Sequence, residues 1–88
     1  MIVKRLLKAW RSHPAGTTVV IPNDVHEELV DESVVEPTSE VRRLIAEWRD
    51  PSGETHPAGV RVELDGETKA NLLRIGVLEP TAHDAAQG

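Results

Sequence analysis

The sequence predicts an α+β fold in which one short unit occurs twice in tandem. Each copy runs β-β-α-β, and the two copies pack as one pseudo-symmetric domain. Three observations predict it: an internal repeat over most of the chain, a strand-like segment after each His-Pro-Ala-Gly, and an apolar helical stripe after each strand. Residues 13–38 align without gaps on residues 56–81, an offset of 43. His13-Pro14-Ala15-Gly16 returns as His56-Pro57-Ala58-Gly59, and Glu36-Pro37-Thr38 as Glu79-Pro80-Thr81. Between these blocks Val19, Leu29 and Val34 recur as Val62, Leu72 and Val77. The match continues upstream at an offset of 38, where residues 3–11 align on residues 41–49. The change of offset places five extra residues between Arg49 and His56, around the turn signal Asp50-Pro51-Ser52-Gly53. Periodic self-similarity of this kind is the mark of a repeated supersecondary unit.

The opening segment of each copy admits two readings. Val41, Leu44, Ile45 and Trp48 fall at i, i+3, i+4 and i+7, a helical spacing, and Thr38 or Ser39 offers a cap. The turn at residues 50–53 instead makes the segment the first arm of a hairpin leading into the next strand. The hairpin context favours a strand, hence β-β-α-β, with α-β-α-β as the alternative. Next, Val60-Arg61-Val62-Glu63-Leu64 alternates apolar with charged residues, as a half-buried strand does, and Thr17-Thr18-Val19-Val20-Ile21 is its counterpart. A glycine before each strand, Gly16 or Gly59, supplies a turn with positive φ.

A helix follows each strand. Pro22-Asn23-Asp24 offers a capping side chain, and Val25, Leu29 and Val30 form the stripe. In the second copy Asp65 or Gly66-Glu67 opens the helix, Leu72, Leu73 and Ile75 carry the stripe, and Gly76 stops it. Ser33 stands in place of that glycine in the first copy, so the first helix terminus is expected to differ. Val34-Val35-Glu36 and Val77-Leu78-Glu79 read as short closing strands, each before a proline. The domain spans residues 1–81, with repeat one at 3–38, repeat two at 41–81 and a flexible C-terminal tail at 82–88. Predicted core residues are Trp10, Leu29, Val34, Trp48, Leu72 and Val77.

Composition narrows the function. The 88 residues contain no Cys, Phe or Tyr, so neither a disulfide framework nor a thiolate metal site is available. Each copy is too small to fold alone without a metal, a disulfide or a partner. The copies are therefore expected to pack on each other, about a pseudo-two-fold axis. The net charge of −5 argues against general nucleic-acid binding. No apolar run reaches the roughly 20 residues of a membrane span. The first eight residues are too short and too charged for a signal peptide.

Candidate chemistry is sparse. His13 and His56 are equivalent in the repeat, which brings a shared metal to mind, but their His-Pro setting is a turn and no carboxylate stands at ligand spacing. His26 and His83 complete the set. Asp24, Glu27, Glu28, Asp31 and Glu32 read as the wet face of a helix rather than an acid–base pair. No catalytic, metal or cofactor residue is assigned, and no enzyme activity is expected. Lys4, Arg5, Lys8 and Arg11, and again Arg42, Arg43 and Arg49, form doubled basic segments. Three readings of them stay open: guards of the sheet edges, a protein interface with Arg beside Trp, or a bipartite phosphate-contacting surface.

The pattern Trp-Arg-x-His-Pro-Ala-Gly-Thr, an apolar strand, Pro-Asn-Asp, a helix and Val-Val-Glu-Pro resembles small virion-associated proteins of tailed bacteriophages and prophages. Residues 50–59 and Gly76-Val77-Leu78-Glu79-Pro80 carry it a second time. The motifs are turn and packing residues, so the resemblance transfers no catalytic group. It implies a structural or assembly protein, such as a minor capsid, cement or connector-region component. Such a protein binds capsid or other virion proteins, in several copies on a symmetric assembly. It resides in the virion, and in the host cytoplasm during assembly. The alternative is a nucleic-acid-binding regulator using the doubled basic segments.

Overall fold

The computed structural model describes residues 1–79, and the predicted tail at 82–88 lies outside them. The described residues form a small α+β domain with two helices. Its elements are β1 (Ile2–Arg5), β2 (Thr18–Ile21), α1 (Asn23–Asp31), β3 (Glu40–Arg43), β4 (Trp48–Arg49), β5 (Thr55–His56), β6 (Arg61–Leu64) and α2 (Gly66–Arg74). The opening segment of each half is a strand, β1 or β3, in line with the hairpin context and against the helical spacing.

The aligned stretches run through the same local geometry. Leu6 N donates to Thr17 O at 2.9 Å and Leu44 N to Val60 O at 3.0 Å; Gly16 N and Gly59 N donate back to Leu6 O and Leu44 O. The extra residues of the second half enlarge one turn. Trp10 and His13 exchange two backbone bonds across Arg11-Ser12, with Arg11 at φ 53°. Trp48 and His56 pair in the β4–β5 hairpin, whose turn is residues 50–54. The predicted closing strands do not form. Residues 34–35 and 77–78 are tied to the neighbouring chain by Leu7 N to Val34 O and Ile45 N to Val77 O, plus one bridge between Leu44 and Leu78. Leu7 and Ile45 lie just past β1 and β3, where the chain leaves the sheet. Pro37 and Pro80, which follow, have no N–H with which to extend a ladder.

The main sheet has the order β2-β1-β6-β3, with β1 antiparallel to β2, β6 antiparallel to β3, and β1 parallel to β6. Successive strand residues point to opposite faces. Ile2 gathers with Leu6, Val19, Ile21 and Leu29 of α1. Its neighbour Val3 gathers with Val62, Leu64 and Leu72 of α2. The two helices therefore cover opposite faces, and the domain has two cores divided by the sheet.

This arrangement corrects the expected two-fold axis. A two-fold would bring like strands together at the centre of the sheet. Here β1 of the first half meets β6 of the second, so the halves follow one another head to tail, and the second is turned over relative to the first. The junction is specific. Glu63 N donates to Met1 O at 2.8 Å, and Arg5 N to the fully buried Thr68 Oγ1 at 2.8 Å. Asn71 Nδ2 donates to Thr18 Oγ1 at 3.1 Å, and Arg5 pairs with Glu67 at 3.3 Å. Val3 crosses into the core of the second half and is 0% exposed.

The helix termini are alike in conformation and unlike in chemistry. Asp65 caps α2, its carboxylate accepting from Thr68 N at 2.7 Å, whereas Pro22 precedes α1 with no side-chain cap. The expected cap from Asn23 or Asp24 is thus not made, because both residues already lie inside the helix. Ser33 takes the left-handed conformation (φ 60°) that Gly76 takes after α2 (φ 82°), so the missing glycine does not change how α1 ends.

Candidate interaction surface

The doubled basic residues do not form one patch. Lys4 is completely buried on the α1 face, with Nζ donating to Glu36 O at 2.7 Å. Arg42, its counterpart, donates through Nη1 to Glu79 O at 3.1 Å and also pairs with Glu40. Both therefore clasp the segment after a helix to the first strand of their own half, and Lys4 is removed from any surface role. Burial holds the Lys4 ammonium below the usual lysine range, although Asp65, Glu63 and Glu36 partly offset it. Arg5 belongs to the junction between the halves. Lys8 donates to Glu32 O at 3.2 Å at the C-terminal end of α1. The Arg11 guanidinium lies over the Trp10 ring, 4.3 Å from its centroid. Arg43 and Arg49 are exposed.

The core residues expected from the sequence are placed as follows. Leu29 and Val34 lie in the α1-side core; Trp48, Leu72 and Val77 lie in the α2-side core. Trp10 is partly buried and packs against the α1-side core from outside.

The equivalent histidines sit in unlike surroundings. His56 is buried, stacks on Trp48 with ring centroids 5.6 Å apart, and places Nε2 2.8 Å from Asp50 Oδ2. His13 is half-buried and flanks the two-residue turn, bridged to Trp10. Asp50, Glu54 and His56 bring three potential metal-ligand atoms within 4.8 Å of one another, closer than their spacing in sequence suggested. Asp50 is already engaged in the turn: Oδ1 accepts from Ser52 N at 2.9 Å and from Glu54 N at 3.1 Å. Burial raises the Asp50 carboxyl, but these bonds, with that of His56, outweigh it and hold the group below the usual aspartate value of 3.8. The cluster is accounted for as the lock of the β4–β5 hairpin. His26, on α1, is lowered below 6.5 by burial and by Lys4, and its buried Nε2 has no partner among the described residues. His83 lies outside the described residues.

The outer half of the sheet is open on one face among the described residues. Register places Val41 and Arg43 of β3 on one face with Arg61 and Glu63 of β6, the face that carries α1 over β1 and β2. Among the described residues that face has no helix over β3 and β6, and Val41 is 45% exposed. The outward amides of β3 and β2, the two edge strands, have no strand partner among the described residues. Sequence reading reached the alternation of residues 60–64 but not this face, since only the head-to-tail packing decides which face lacks a helix. A cleft lined by Arg5, Gly16, Glu67, Asn71 and Arg74 runs along the junction on the other face.

No helix among the described residues is long and apolar enough to cross a membrane. Compared with protein-family models, with curated proteins and with solved structures, the chain finds no match.

Proposed function

We propose that this protein is a non-catalytic structural or assembly component that works by binding other proteins, and that it is built from two copies of one unit. The observation that carries this reading is the sheet face at Val41, 45% exposed, on an edge strand whose outer side has no strand partner among the described residues. Exposed sheet edges are templates for another chain. An apolar residue half exposed on such a face gains from burial, about 25 cal/mol per Å² of apolar area. The setting, a tailed-phage particle with the host cytoplasm as the place of assembly, rests on the resemblance carried by the His-Pro-Ala-Gly and Glu-Pro-Thr blocks. Capsid or connector-region proteins are the partners that resemblance implies.

The experiment is sedimentation of particles from a native lysate, followed by quantitation of the chain against the major particle protein. A fixed ratio that survives a salt wash supports the proposal, as does impaired particle assembly when the chain is deleted. Particles free of the chain, with the chain entirely in the supernatant, would refute it.

A further inference from the structure

The junction between the two halves is heterologous, and among the described residues no strand pairs with the outer side of β3 or of β2. We propose that the protein self-associates head to tail, the β3 edge of one copy pairing in parallel with the β2 edge of the next, as β1 pairs with β6 inside the chain. This rests on the reading of the protein as a protein-binding component and names its partner as a second copy.

The sequence equivalences define the contacts. β3 corresponds to β1, and β2 corresponds to β6. Pairing Ile2 with Glu63 inside the chain becomes pairing Glu40 with Val20 of the next copy. Val3, sealed beneath α2 at 0% exposure, corresponds to Val41, open at 45%. Val41 would be covered by α1 of the next copy, whose half-buried Val25 stands where α2 has the buried Thr68. The Arg5–Glu67 ion pair becomes Arg43 with Asp24. The Asn71–Thr18 hydrogen bond becomes Glu28 with Arg61. Both substituted pairs are opposite in charge, and all four side chains are exposed without an ion pair among the described residues. Charge complementarity at a second, unformed junction is what selects this register over other edge pairings. A heterologous contact does not close at two copies, so it yields rings or filaments.

The test is analytical ultracentrifugation of the full chain at rising concentration, with two charge-reversed variants. One carries Arg43→Asp and Arg61→Asp, and the other Asp24→Lys and Glu28→Lys. Each variant alone sets like charges face to face and is expected to weaken association by about tenfold or more. Mixed in equal amounts, they restore opposite charges at every junction and recover assemblies larger than a dimer. Thermal melts confirm that both remain folded. A wild-type chain monomeric at every concentration overturns the proposal. So does a closed dimer indifferent to the reversals, or a failure of the mixture to restore assembly. A chain present in particles yet monomeric in solution would sink this junction alone; a chain that self-associates but is absent from particles would sink only the functional reading.

Discussion

Lys4 donates through Nζ to the carbonyl oxygen of Glu36, 2.7 Å away and 32 residues later, with no exposed surface on the lysine. The bond ties the segment after α1 to the first strand, and Arg42 repeats it on Glu79. Lys4→Ala removes the bond and leaves a cavity, and should cost about 2–4 kcal/mol. Lys4→Met keeps the stem and spares the burial of a charge, so it should recover most of that loss. Urea unfolding of both variants measures the difference.

Thr68 is the polar pin of the junction, its hydroxyl accepting from Arg5 N in a site with no exposure. Thr68→Val preserves shape and leaves the part-buried Arg5 amide without its acceptor. The expected loss is about 1–3 kcal/mol. Hydrogen exchange at the Arg5 amide should speed up more than exchange within β3. Equal acceleration in both strands would mean that the hydroxyl has no local role.

Asp50 makes stability depend on pH in the acid range. Its carboxyl is held below 3.8 in the folded protein. The unfolded chain therefore binds a proton more readily, and stability rises with pH through that window. The contribution is complete above the unfolded value and is lost as pH falls through the folded one. Asp50→Asn should flatten this part of the stability-against-pH curve and lower stability at neutral pH by about 1–3 kcal/mol. Denaturant midpoints from neutral pH down to acid give both readings.

Ser33 and Gly76 share a left-handed conformation that costs a non-glycine residue roughly 1–2 kcal/mol. Ser33→Gly should accordingly stabilise by up to about 1 kcal/mol, and Gly76→Ser should destabilise by a similar amount. Opposite shifts of the thermal midpoint test the pair. A destabilising Ser33→Gly would show that the serine side chain supports the turn in another way.

Much of the local structure was legible in the chain itself. Strand β6 follows from the alternation of residues 60–64, because a half-buried strand needs that pattern. The β4–β5 turn follows from Asp50, Pro51 and Gly53, whose backbone preferences are intrinsic. The end of α2 follows from Gly76 for the same reason. The strand state of β1 and β3 was harder, since Val41, Leu44, Ile45 and Trp48 suit a helix equally well. What settles it is backbone pairing with β2 and β6, partners distant in sequence.

The sequence alone marked the strand after each glycine, the helix after each strand and the turn after β4, and predicted that the two aligned stretches would take similar local form, because turns and alternation act over a few residues. It did not decide β1 and β3 or the segments that close each half. Only the tertiary structure decided that β1 would meet β6, that the helices would lie on opposite faces, that Lys4 would be buried while Val41 stayed open, and that Asp50 would reach His56. Those outcomes depend on how two nearly equivalent surfaces dock. Equivalent surfaces carry the same pattern, so the pattern does not say which of them will be covered.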